Sequence, residues 1–270
     1  MSASFIPKSV DNVHATLLQK IKIPKGKSNK YNITSCAIFS NGKVIFADCD
    51  NNMRLVILNT DGSFNYEFPF SKLRPYSVAC IDDMTIAFSV WNSSEIYLYD
   101  IKSKIMKNSI KTNNICFGVA HRDGILYYCS KDSVAQIKDG ISSTIVNLGY
   151  ALRGWRNIAS FGEFIYLTNN TNNSVLCFNV QGRKLWEYKD DEIIRSPSGI
   201  AVDKYGIVYV ALKEKQCIVA LSPDGKQVMD FLSCKECIEN PLKLVYDNKR
   251  DLLLVASYDG NCAVFEIRQT

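Results

Sequence analysis

Histidine is almost missing from this chain: only His14 and His121 occur in 270 residues. Two imidazoles cannot build a multi-histidine zinc centre, so chemistry resting on one is excluded. Glycine is scarce as well, at fourteen residues beside seven prolines, and neither collagen-like repetition nor a low-complexity disordered chain has that composition. No Gly-rich phosphate loop leads from a strand into a helix, and no Ser or Cys stands in a recognisable nucleophile motif. Long apolar runs are absent too. The longest uncharged stretch, Phe164 to Gly182, is interrupted by Asn169, Asn170, Asn172 and Asn173, whereas a membrane-spanning helix needs about 20 predominantly apolar residues. Met1 to Val10 lack a basic region, an apolar core and a small-residue cleavage site, so no secretory signal is read. A cytoplasmic, non-membrane location is therefore expected. The ten cysteines are expected to be thiols, because Cys36, Cys129, Cys177, Cys217 and Cys262 sit inside apolar alternating runs, where a free thiol acts as a small hydrophobe.

Charge of one sign does not dominate: 32 basic and 27 acidic residues leave +5, with 47% hydrophobic residues. That balance describes a chain able to bury a large core. Fourteen Tyr and thirteen Phe, with frequent Val and Ile, favour pleated, half-buried surfaces. The expected class is all-β.

A repeat of about forty residues runs through the chain. A small or polar residue, an aliphatic residue or Cys, then Ala or Val recurs as Ser35-Cys-Ala37, Ser77-Val-Ala79, Gly118-Val-Ala120, Asn157-Ile-Ala159, Gly199-Ile-Ala201 and Lys243-Leu-Val245. The central residues Cys36, Val78, Val119, Ile158, Ile200 and Leu244 are spaced 42, 41, 39, 42 and 44 apart. Each copy continues with a polar turn and an apolar run, such as Lys43 to Ala47 or Ile125 to Cys129, then a third run such as Arg54 to Leu58. Asp61-Gly62, Asp139-Gly140, Gln181-Gly182 and Asp224-Gly225 follow as tight turns, and Asp-Gly between alternating runs signals a hairpin. Four-stranded units of this length are the mark of β-propeller blades. The expectation is a single domain over 1–270: a six-bladed β-propeller with four antiparallel strands per blade. Residues 1–11 are expected to be a flexible leader, and His14 to Ile23 an N-terminal strand that closes the last blade beside Asn261 to Ile267.

The fifth copy, Ser196-Pro-Ser-Gly-Ile-Ala-Val-Asp203 followed by Gly206-Ile-Val-Tyr-Val-Ala211, resembles the NHL repeat. Arg74-Pro-Tyr-Ser-Val-Ala79 and Asn240-Pro-Leu-Lys-Leu-Val-Tyr-Asp247 keep parts of the pattern, while the third and fourth copies keep its spacing. The resemblance implies kinship with the C-terminal domain of tripartite-motif ubiquitin ligases. It implies a recognition module for a protein partner or substrate, with RNA binding as the alternative, and it implies no catalysis by the chain itself. A RING needs eight Cys/His ligands, and only one Cys-x-x-Cys, Cys234 to Cys237, is present. Without two further ligands it reads as two ordinary thiols. Asp48 and Asp50 read as a solvated turn rather than a calcium site, and a lactonase-like propeller enzyme is a distant third. No metal or cofactor is expected, and the domain is expected to be monomeric.

In a propeller the fourth-to-first and second-to-third strand connections share one face. Sorting the chain accordingly puts fifteen basic and ten acidic residues there, the whole net excess of +5. The same connections carry Arg74, Tyr76, Trp91, Arg153, Trp155, Arg156, Arg195, Lys213, Lys243 and Tyr258. Trp, Tyr and Arg are enriched at binding hot spots, so these ten are the candidate partner-binding residues.

Overall fold

The computed structural model describes residues 10–149, 157–233 and 238–269. Among these, six four-stranded antiparallel sheets are arranged as the blades of a propeller. Their inner strands are Ile33–Ile38, Pro75–Cys80, Val119–Arg122, Ile158–Phe161, Pro197–Val202 and Pro241–Asp247. In the first five blades the strands follow in chain order from the axis outwards. The sixth takes its outermost strand from the other end of the chain, where Val13–Lys22 pairs with Asn261–Gln269 in register from Val13↔Gln269 to Lys22↔Asn261. The expected closing strand is thus present. Residues 10 and 11, read from the sequence as leader, belong to a 3-10 turn, Val10–Asn12, whose Val10 is buried in the cluster between blades five and six.

Why the sequence takes this form is clear in the second and third strands. Val44–Asp48 and Arg54–Leu58 are buried throughout, because a blade is covered on both faces by its neighbours. Alternate residues serve alternate junctions: Ile45, Ala47, Leu55 and Ile57 pack towards blade two, while Val44, Phe46, Val56 and Leu58 pack towards blade six. Six such apolar clusters fill the six junctions. Outer strands, covered less, alternate with polar residues, as in Lys184–Lys189. The hairpin turns need left-handed backbone, and Asp139 and Gly140 supply it in succession at φ 52° and 77°, as a two-residue I′ turn requires.

Candidate recognition site at the channel mouth

The first residue of each repeat triplet forms a ring around the axis: Ser35, Ser77, Gly118, Asn157, Gly199 and Lys243 line a cavity of about 50 Å³. Four of the six inner strands shift register just before this ring, between Ile33 and Ser35, Pro75 and Ser77, Pro197 and Ile200, and Pro241 and Lys243. Such bulges re-aim side chains. The ring also ties blades together. Ser35 Oγ accepts the Val78 N–H and Ser77 Oγ the Val119 N–H, both at 3.1 Å, and Asn157 Nδ2 donates to the Ser198 carbonyl at 2.8 Å.

Lys243 is the exception in size and charge. It is 4% exposed, and its Nζ donates to Asn157 Oδ1 on the blade beyond its neighbour. The inner strands of blades five and six approach closely where Gly199 has no side chain: a β-carbon there would lie 2.7 Å from the Leu242 carbonyl oxygen and 2.8 Å from Lys243 Cα. Loss of water pulls the Lys243 ammonium down to about 8, with the Cys36 and Cys129 thiols opposing the shift. Burial pushes the Cys36 thiol up to about 12.

Beside the ring lies an aromatic patch. Trp91, 45% exposed, packs 5.3 Å from the buried Tyr76 ring, and Phe117 meets both edge-on at 5.9 and 6.4 Å. The Arg74 guanidinium lies 5.9 Å from the Trp91 ring centroid and pairs with Asp50, which raises its already high pKa. The Trp91 N–H donates to the Arg74 carbonyl at 2.8 Å, so the two candidates are locked to each other by backbone as well. Lys243 Nζ is 6.0 Å from the Tyr76 centroid. Tyr258, 36% exposed, feels the Asp50 charge, and burial raises its hydroxyl pKa first of all.

Five of the ten candidates, Arg74, Tyr76, Trp91, Lys243 and Tyr258, are therefore linked around the mouth, but two of these are not presented as expected. The sequence reading puts Tyr76 and Lys243 in exposed connections, whereas the inner strands begin earlier, at Pro75 and Pro241, and both side chains are buried. Arg195 is held apart by a 2.8 Å bond to the Asp191 carbonyl, and the Lys213 carbonyl caps a local turn by accepting from Gln216. Arg153, Trp155 and Arg156 lie outside the described residues, as do Cys234 and Cys237. Asp50, Phe117 and Asn157 were not among the candidates. Asn157 could have been found from its place at the head of a repeat triplet.

Asp48 is no open turn carboxylate: it is fully buried against Arg54, with an Nε to Oδ2 distance of 3.1 Å, and accepts from the Asn32 N–H and Asn52 Nδ2. This network holds segment 24–30 on blade one, since Arg54 also donates to the Pro24 carbonyl and Asn52 to that of Lys30. At the opposite end of the channel a larger cavity of about 250 Å³ is lined by an alanine-rich ring with Cys36, Cys80, His121 and Tyr246. Burial lowers the His121 pKa and raises that of both thiols, and a protonated thiol is a poor nucleophile. No group of three or more His, Cys, Asp or Glu residues suited to a metal ion occurs among the described residues, the eight cysteines among them are unbridged, and no helix there is long and apolar enough to cross a membrane.

No protein-family model matches the chain. E3 ubiquitin-protein ligase TRIM56 of Mus musculus is 26% identical over 256 residues, covering 90% of this chain and 34% of the ligase. The Homo sapiens protein of that name is 23% identical over 255 residues, with 90% and 33% covered. The chain thus spans about a third of the length of these relatives. Among solved structures, a Bacteroides thetaiotaomicron protein of unknown function superposes with a TM-score of 0.73 at 12% identity, covering 95% of this chain and 76% of that one. Virginiamycin B lyase from Staphylococcus aureus gives 0.66 at 13%, covering 94% and 99%. At such identities the structural likeness carries the fold alone. A six-bladed propeller closed by its own N-terminal strand, the chain resembles part of a tripartite-motif ubiquitin ligase over nine-tenths of its length.

Proposed function

We propose that this propeller is a non-catalytic recognition domain that binds a protein partner at the channel mouth, as the substrate-recruiting module of a tripartite-motif-type ubiquitin ligase. The observation that carries this reading is the Trp91, Tyr76, Phe117 and Arg74 cluster. It offers a half-exposed indole braced from beneath by two rings, the pre-ordered aromatic anchor on which hot spots are built. Likeness to TRIM56 over 90% of the chain supports the ligase setting. RNA is the weaker alternative, because the two cations at the aromatic patch are already engaged: Arg74 with Asp50, and Lys243 inside the ring. The test is capture from cells with the wild-type chain and with Trp91→Ala, identifying retained protein and RNA together. The expected result is a protein retained by the wild type and depleted at least tenfold on the variant. Retention of RNA alone would overturn the reading.

A further inference from the structure

The sixfold repeat breaks its own rule at Lys243. Five blades place Ser35, Ser77, Gly118, Asn157 and Gly199 on the ring, and these short side chains leave room on the axis. The sixth sends a four-carbon cation into that room, bound to Asn157. A packing role would be met by Leu or Met, with no ion to dehydrate. We propose that the channel mouth is a receptor for an acidic side chain of a protein partner, with Lys243 as its counter-charge and the Tyr76, Trp91 and Phe117 wall seating the residues around it. The inference rests on the protein-recognition reading above and names the chemistry that the partner must present.

Size and charge select a carboxylate. A cavity of about 50 Å³ is of the order of one or two water volumes, taking a water's share of the liquid as about 30 Å³, so the tip of an Asp or Glu side chain fits. A phosphodiester, carrying a sugar on either side, has no free end to insert. A donor is at hand besides the ammonium: the Ser35 and Ser77 oxygens accept backbone N–H groups, and one hydroxyl donates to the other at 3.4 Å, which leaves one hydroxyl hydrogen to give. Away from bulk water these bonds and the charge pair are strengthened.

The probe is a displayed library of random dodecamer peptides selected on the 270-residue chain, followed by affinity measurements on the selected peptides. Selected peptides should share an Asp or Glu at one register position. Changing it to the amide should weaken binding at least tenfold to the wild type and less than twofold to Lys243→Met; the peptide-side change leaves the protein's folding untouched. Peptides that need Trp91 but share no acid, or that lose equally with the amide on both proteins, would overturn this inference and leave protein recognition standing. Failure to select any peptide, with retention of an oligonucleotide pool instead, would overturn both.

Discussion

A lysine ammonium held on the axis of a propeller has a stability cost that pH should reveal. Lys243 titrates at about 8 when folded against 10.5 when free. Below about pH 8 the folded chain holds the charge dehydrated. Between about 8 and 10.5 the folded state gives up its proton before the unfolded state does, so the unfolded state binds more protons and stability rises with pH. The separation amounts to roughly 3 kcal/mol at about 1.4 kcal/mol per decade. Lys243→Met should therefore raise Tm at pH 7, and its advantage over the wild type should shrink between pH 8 and 10.5; a constant advantage across that range would contradict the assignment. Arg54 is the opposite case, a cation whose partner is already in place. Asp48→Asn removes one of the two carboxylates that hold the guanidinium, Glu67 remaining at 2.5 Å, and a loss of about 1.5–3 kcal/mol in urea unfolding is expected, against under about 1 kcal/mol for Lys184→Gln, which breaks the half-exposed pair with Glu187.

At the level of strands and blades, closure by Val13–Lys22 is the contact that joins the last blade's outer edge to the beginning of the chain. That strand also carries Val13 and Ile21 into the clusters on either side of blade six. A chain lacking residues 1–22 should expose the Asn261–Gln269 edge and lose cooperativity. Its urea transition should broaden and its proteolysis should begin in blade six; a transition as sharp as the wild type's would refute the role. These elements could be read from sequence because both faces of a central strand are buried, so residues 55–58 and Ile125–Cys129 appear as unbroken apolar runs between polar turns, and the strands Arg54–Leu58 and Ile125–Cys129 fall where expected. The mouth could not be read in the same way. Lys243 and Asn157 lie 86 residues apart and Arg74 and Asp50 lie 24 apart, and such pairs are made by the curvature of the ring rather than by any local pattern. The bulges that start the inner strands early likewise leave no mark in the alternation of residues, which is why Tyr76 and Lys243 were expected on the outside.

For the molecule as a whole, a net charge of only +5 over 270 residues gives a weak field, and the kind of ligand decides how salt acts on it. Binding of a protein partner through a seated indole and one charge pair should lose little between 50 and 200 mM salt. Single-stranded RNA would instead fall with a log-log slope of about −0.7 per phosphate engaged, and titrating the captured ligand across that range separates the two. The clasp that closes the ring has a mechanical consequence as well. Val13 faces Gln269 across the antiparallel pair, and Lys22 faces Asn261 at its far end. Tension applied through Val13 and Gln269 therefore loads the hydrogen bonds one after another, as a zip is opened. Tension applied through Val13 and Asn261 loads them all together. In optical tweezers, handles on the first pair should open the ring at a distinctly lower force than handles on the second, so the closure should yield readily to a pull on its two neighbouring ends.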